Sequence, residues 1–195
     1  MDSLIGIKGN DFVLIASDTV TKSSLLLIKD DENKFYKINS HLIMAYSGEQ
    51  GDSFRNCSFT AEKVKFECLQ NQIHATPSVV ANVLQKKLHT ALRKQPLSTS
   101  CLIAGKTPES FSLYQVDTYG AISSSKYFSL GASSYFTYGI LDKNYHEGIT
   151  LEQALSTLQE CVNVLKKRFV LDIPTFIVNI VRDSGIESLS LKPSE

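Results

Sequence analysis

The sequence predicts an α+β fold, arranged as a four-layer α-β-β-α sandwich. Strand-like segments open the chain, helical segments follow in two pairs, and further strand-like segments separate and follow those pairs. Two helix pairs among β-hairpins suit helices that cover the outer faces of two stacked sheets. A doubly wound sheet would require single helices alternating with single strands, and the chain does not show that order.

Strands dominate the first 48 residues. Residues 3–8 and 12–17 are apolar runs with β-branched side chains, and the turn-forming segment 9–11 joins them as a hairpin. The second run is almost continuously apolar, as expected for a strand that is covered on both faces. Further strands are predicted over residues 24–28, 34–38 and 41–46.

The middle of the chain predicts two helices. An irregular helical pattern runs from about residue 49 to about residue 72. Its candidate core residues are Phe59, Val64, Phe66 and Leu69. The next helix is better defined, because Thr76 supplies an N-cap, Pro77 suits the first helical position and Pro96 ends the pattern.

A second group of strands precedes the second helix pair. Residues 100–104, 110–116 and 127–131 are strand-like, and a short helix is predicted near residues 134–141. The segment Thr150-Leu151-Glu152-Gln153 is a capping box, which opens the last long helix.

The C-terminal part of the chain predicts two final strands. One begins at Pro174 and runs through Val181, and the turn at 182–185 leads into a short last strand. Residues 191–195 are expected to form a short flexible tail. Since no linker or change of composition divides the chain, residues 1–195 are predicted to be one domain.

The composition excludes several classes of protein. The 20 Lys and Arg balance the 20 Asp and Glu, which argues against a nucleic-acid-binding protein. No window approaches the 18 apolar residues of a membrane span, and the first residues lack the features of a signal peptide. We therefore expect an intracellular protein. Its 4 scattered cysteines are expected to be buried and reduced, although counting alone also allows two disulfides.

Known catalytic and ligand-binding motifs are missing from the sequence. The 4 histidines lie far apart, and neither a nucleophile elbow nor a phosphate-binding glycine loop is present. We therefore predict no metal and no cofactor. The basic pairs Lys86-Lys87 and Arg93-Lys94 are interpreted as a solvated helix face that complements the helix dipole.

Polar residues at three strand ends form one candidate constellation. Asp18 ends the second predicted strand, Lys34 opens the fourth, and Gly48 follows the fifth. An Asp–Lys pair at neighbouring strand ends can hold a charge next to a nucleophile, and Gly48 can offer an N–H to an oxyanion. Polar strand ends are common, so the spacing alone is a weak signal.

Several segments resemble the β-type subunits of the eukaryotic 20S proteasome core, in particular the beta type-4 subfamily. They are residues 4–9, 11–18, 29–31, 34–37, 48–52, 138–142 and 167–176. The resemblance covers about residues 2 to 190 and implies the N-terminal-nucleophile hydrolase fold, which is an α-β-β-α sandwich. It also implies a role in ATP- and ubiquitin-dependent protein degradation, in the cytoplasm and the nucleus.

The resemblance also implies that this chain is not an active hydrolase. Active members of the family use an N-terminal Thr whose own amine serves as the base, and here Asp2 stands at that position, with Met1 before it and no room expected for a propeptide. Asp18, Lys34 and Gly48 match supporting positions of the family.

Later supporting positions of the family are changed. Ala132 follows Gly131 where active members have a Ser, and the late Asp and Ser positions fall on Phe169 and Asp172. We therefore assign no catalytic residue and interpret the Asp18–Lys34 pair as structural.

The expected role is that of a non-catalytic structural subunit. The resemblance implies partners in the same and the opposing β ring and in an α ring, with no nucleic acid and no membrane. Two alternatives remain open: an active hydrolase that is trimmed to expose Ser3, and a free-standing homo-oligomer.

Overall fold

The computed structural model describes residues 2–23, 26–169 and 173–193, and this part of the chain forms two five-stranded sheets, a two-stranded ribbon and four helices. The strands are β1 (Ser3–Lys8), β2 (Val13–Asp18), β3 (Thr21–Ser23), β4 (Leu26–Lys29), β5 (Phe35–Asn39), β6 (Leu42–Gly48), β7 (Thr99–Lys106), β8 (Phe111–Val116), β9 (Ile122–Ser124), β10 (Tyr127–Gly131), β11 (Phe176–Arg182) and β12 (Gly185–Leu191). The helices are α1 (Gln50–Asn71), α2 (Pro77–Leu92), α3 (Ser134–Asn144) and α4 (Leu151–Arg168). The predicted α+β class is confirmed.

The first sheet has the strand order β10-β1-β2-β11-β12, and all of its neighbours are antiparallel. The predicted hairpin of β1 and β2 is confirmed, with Leu4 opposite Ser17 and a turn in which Gly9 N–H donates to the Phe12 carbonyl. Every residue of β2 is buried, as its continuous apolar pattern predicted. The second sheet has the antiparallel order β5-β6-β7-β8-β9.

The two sheets form the middle layers of the molecule and the helices form the outer layers. Side chains such as Leu4 and Ile15 from the first sheet meet Leu102 and Leu113 from the second. The outer face of the first sheet packs on α4, and that of the second sheet packs on α1 and α2. The chain thus has the predicted α-β-β-α order of layers.

Helix α1 corrects part of the sequence prediction. Val64 is fully buried, but Phe59, Phe66 and Leu69 are 50%, 65% and 81% exposed. The buried face of α1 consists mainly of small or polar residues, which let the helix approach the sheet closely; they are Ser53, Asn56, Cys57, Thr60, Ala61 and Val64. The polar ones find partners, since Asn56 donates to Thr99 and Thr60 donates to a carbonyl of its own helix. The large apolar residues therefore lie on the outer side of α1.

The predicted helix starts are confirmed. Thr76 accepts a hydrogen bond from the backbone N–H of Val79, and Pro77 opens α2. Thr150 and Gln153 bond each other reciprocally as a capping box at the start of α4. Within the described ranges, no helix has both the length and the apolar character needed to cross a membrane.

The C-terminal strand is longer than expected. Leu191, which the sequence placed in a flexible tail, pairs with Phe176 in the first sheet, and the Lys192 carbonyl accepts a hydrogen bond from Gln159. Ser194 and Glu195 lie outside the described residues.

The 4 cysteines are free thiols. Cys57, Cys101 and Cys161 are buried as predicted, whereas Cys68 is half-buried.

Candidate functional site

The three polar strand ends singled out in the sequence lie side by side, together with Asp2. Asp18 ends β2, Gly48 ends β6, Lys34 directly precedes β5, and Asp2 directly precedes β1. Because the two sheets are stacked, these ends meet at one edge of the sandwich. The predicted constellation is confirmed as a spatial cluster.

Lys34 is the centre of the cluster. Its ammonium group donates to Asp18 Oδ1 at 2.6 Å, to Asp2 Oδ1 at 2.7 Å and to the Val20 carbonyl at 2.9 Å. These three acceptors use all three N–H groups of the ammonium. The side chains of Lys34 and Asp18 are only 3% and 0% exposed, so the ion pair is buried.

The electrostatics hold Lys34 in its charged form. Burial acts to lower the pKa of the Lys34 ammonium, but the carboxylates of Asp18 and Asp2 outweigh burial and raise this pKa above its usual value. Burial raises the pKa of Asp18, and the contact with Lys34 only partly offsets that rise. A lysine that is charged and fully hydrogen-bonded cannot accept a proton from a nucleophile.

Asp2 is fixed by both its side chain and its backbone. Its Oδ1 accepts from Lys34, its Oδ2 accepts from the Gly48 N–H at 2.9 Å, and its carbonyl accepts from the Ala132 N–H at 3.1 Å. The N–H of Gly48, predicted as a donor to an oxyanion, therefore donates to a carboxylate of the chain itself.

Two glycines make this arrangement possible. Gly48 has φ of 143° and Gly131 has φ of 76°, both in the region that favours glycine. A Cβ atom on Gly131 would lie 2.0 Å from the Asp2 carbonyl oxygen, and one on Gly48 would lie 2.1 Å from the Ser98 carbonyl oxygen. Only glycine at these positions allows the backbones to approach so closely.

Asp2, Ala132 and Ser3 offer no available nucleophile to the cluster. Both carboxylate oxygens of Asp2 are engaged, Ala132 has no functional group, and the hydroxyl of Ser3 belongs to a residue that is 0% exposed within β1. Phe169 packs edge-on against Phe136, with their ring centroids 5.7 Å apart. Asp172 lies outside the described residues.

The described residues also contain no group of three His, Cys, Asp or Glu side chains that could hold a metal ion. The arrangement holds the carboxylates of Asp2 and Asp18 against the ammonium of Lys34 and fixes Asp2 directly before β1.

Some groups of the candidate site were not predicted from the sequence. The carbonyl of Val20 and the N–H of Ala132 are backbone groups, which no residue pattern reveals. Tyr46 lines a cavity of about 310 Å³ beside Asp2 and Lys34, and its buried hydroxyl has no hydrogen-bond partner within the described part of the protein. Burial raises the pKa of Tyr46. A tyrosine in the buried, apolar strand β6 was the one signal that could have pointed to this cavity.

Comparison with known proteins identifies the family. A profile described as "Proteasome subunit" matches residues 2–181. The chain belongs to the proteasome subunit family. It is 45% identical over 193 residues to "Probable proteasome subunit beta type-4" of Encephalitozoon cuniculi, covering 99% of this chain and 98% of that protein.

More distant relatives agree with this assignment. The chain is 32% identical to "Proteasome subunit beta type-2-A" of Arabidopsis thaliana, over 100% of this chain and 96% of that protein. It is 28% identical to "Proteasome subunit beta type-4" of Saccharomyces cerevisiae, over 97% of both. The resemblance predicted from the sequence segments is thus confirmed, and family membership implies that this proteasome subunit assembles with other proteasome subunits.

Proposed function

We propose that this proteasome subunit is a non-catalytic, structural β-type subunit of the 20S core particle, with the N-terminal-nucleophile hydrolase fold. Its partners are other β-type subunits in the same and the opposing β ring, and subunits of an α ring. In that position it completes the wall of the chamber in which ATP- and ubiquitin-dependent degradation takes place, in the cytoplasm and the nucleus.

The observation that carries this proposal is the state of Asp2. In the family resemblance proposed from the sequence, residue 2 corresponds to the nucleophile of active members, and here that residue is a carboxylate with a donor on each oxygen. A carboxylate held in this way lacks the side-chain hydroxyl that acyl transfer requires in the family. Lys34, already bonded to three acceptors, has no capacity left to activate another group.

The experiment combines native mass spectrometry with an electrophilic probe. The endogenous complex is isolated through a tag placed after Glu195 and treated with a peptide vinyl sulfone, which alkylates active N-terminal nucleophiles. We expect this chain in a multi-subunit particle, with Asp2 present in its intact mass and no probe attached, while other subunits of the same particle are labelled. Their labelling is the internal control for probe activity.

Two results would contradict the proposal. A probe adduct on this chain, or a mature chain that begins at Ser3, would revive the active hydrolase. A ring built from copies of this chain alone would support the free-standing homo-oligomer instead.

A further inference from the structure

A groove of about 550 Å³ lies between α1 and α2, on the outer surface of the second sheet's helix layer. We call it the lysine groove. Its cationic residues are Lys63, Lys86, Lys87 and Lys94, and its most prominent apolar residue is Phe59. Its volume falls in the range of known ligand-binding clefts. None of the described residues that line it is acidic.

The groove follows one face of α2. Lining residues Val83, Lys87 and Ala91 recur at helical spacing along α2 and form a continuous stripe, and Lys94 follows just beyond the end of the helix at Leu92. From position 83 to position 91 the stripe is about 12 Å long, at about 1.5 Å per residue. An extended peptide of about four residues has the same length. The stripe is therefore long enough to contact an extended peptide segment of that length.

The positive charge of the lysine groove is largely uncompensated. Within the described chain, Lys63 has a carboxylate neighbour, Glu67, at 3.7 Å, whereas Lys86, Lys87 and Lys94 form no ion pair. Burial lowers the pKa of Lys87, which is the expected response of a partly desolvated ammonium without a nearby carboxylate. Such a cluster of like charges attracts an acidic partner.

Phe59 gives the groove an exposed aromatic contact. The ring comes from α1 and is 50% exposed, and the ammonium of Lys87 lies 4.1 Å from its centroid. The Lys63 ammonium lies 6.0 Å from the same centroid. These cation–π contacts hold the lysine side chains around an aromatic surface that is still accessible. A partner that brought only charge would leave this aromatic surface uncovered.

We propose that the lysine groove is a docking site for an acidic polypeptide segment of a partner protein. Carboxylates of the segment pair with Lys86, Lys87 and Lys94, and an apolar side chain of the segment packs on Phe59. The basic stripe that the sequence suggested was a solvated helix face is, in this proposal, one wall of a groove whose other wall comes from α1.

The test measures binding of fluorescent peptides to the full chain by fluorescence anisotropy at low ionic strength. The probe is a ten-residue peptide of alternating Glu and Leu, and the comparison peptide alternates Glu and Ser and so has the same charge. We expect the Glu–Leu peptide to bind more tightly than the Glu–Ser peptide, and added salt to weaken both. Single-stranded RNA and tripolyphosphate serve as competitors.

Matched variants separate the groove from general charge effects. Lys86→Glu combined with Lys94→Glu reverses two exposed charges in the groove, and we expect about tenfold weaker peptide binding. Lys37→Glu combined with Lys143→Glu makes the same charge change at exposed sites elsewhere and leaves binding within about twofold. Phe59→Ser is expected to remove the preference for Leu over Ser without abolishing binding.

Three outcomes would overturn the proposal. One is equal binding of the Glu–Leu and Glu–Ser peptides, with tripolyphosphate or RNA competing better than peptide, because the groove would then select charge alone. Another is an equal loss in the two double variants. The third is no binding of either peptide to the wild-type chain. Since the assay does not involve assembly, its failure would leave the proposed structural role untouched.

Discussion

Removal of the Lys34 ammonium, by Lys34→Met, is expected to destabilise this proteasome subunit strongly. The substitution keeps a side chain of similar length but leaves Asp18, which is 0% exposed, without its cation. Its Oδ2 already lacks a hydrogen-bond partner in the described structure, so Oδ1 would become the second unpaired oxygen. Breaking a buried ion pair from one side costs about 3–5 kcal/mol of unfolding free energy.

Companion variants turn this expectation into a thermodynamic cycle. Asp18→Asn should cost less, about 1–2 kcal/mol, because Lys34 keeps Asp2 and the Val20 carbonyl as acceptors. Asp18→Leu combined with Lys34→Met should cost less than Lys34→Met alone, since no buried carboxylate is then left at position 18.

Urea unfolding of the full chain, followed by circular dichroism, measures these free energies. Lys29→Met is the matched control: Lys29 pairs with Asp31 and Glu32 at the surface, with its side chain 48% exposed, and its loss should cost about 0–1 kcal/mol. The reasoning fails if Lys34→Met costs no more than Lys29→Met. It also fails if the double variant costs the sum of Asp18→Leu and Lys34→Met, each measured alone.

Three further predictions follow from the same structure. Gly131→Ala should lower the melting temperature by several degrees, because the added Cβ would lie 2.0 Å from a backbone carbonyl oxygen. Gly139→Ala, whose added Cβ would have no atom within 4 Å, should raise the melting temperature slightly, and thermal unfolding of both variants measures the two shifts. A thiol reagent applied to the native chain should modify only the half-buried Cys68, and denaturant should release the other three thiols; labelling at a buried thiol as fast as at Cys68 would be inconsistent with the packing. The loss of unfolding free energy caused by Lys34→Met should shrink as the pH falls, because burial raises the pKa of Asp18 and a protonated Asp18 no longer needs a cation. Urea unfolding at several pH values measures this loss, and a loss that grows in acid would contradict the prediction.

In the wild-type chain, the contribution of Lys34 to stability is lost at alkaline pH rather than at acid pH. The pKa of Lys34 is raised in the folded state, so its contribution to stability is complete below the unfolded lysine pKa of about 10.4 and is lost as the pH rises through the higher folded value. The advantage of wild type over Lys34→Met should therefore persist across the neutral and mildly alkaline range.

Local signals in the sequence predicted the elements well. The β1–β2 hairpin, the Thr76 cap of α2 and the Thr150 capping box of α4 depend on residues close together in the chain, and the structure has all three. The buried face of α1 was mispredicted because it is decided by distant packing: close approach to the sheet favours Ser53 and Ala61 over larger apolar residues.

The candidate site was only partly predictable for the same reason. The strand ends and the family resemblance identified Asp18, Lys34 and Gly48 as candidates. The close approach of Gly131 to the Asp2 carbonyl could not be predicted, because it joins backbone atoms far apart in sequence. The lysine groove shows the same limit, because Phe59 lies on a different helix from Lys87 and no periodicity links the two.

The chemistry of residue 2 also explains why Lys34, Asp18 and Gly48 depend on one another. Two carboxylates and one ammonium leave the cluster with one excess negative charge, and the N–H of Gly48 is aimed at the oxygen of Asp2 that Lys34 does not reach. Loss of the Lys34 ammonium would leave carboxylate oxygens of Asp2 and Asp18 unpaired, displacement of the Gly48 backbone N–H would unpair the other Asp2 oxygen, and loss of Asp18 would take away one of the three acceptors of a buried ammonium. These groups are thus held together by the cost of burying charge, and Lys34 and Gly48 fix Asp2, directly before β1, at the edge of the sandwich.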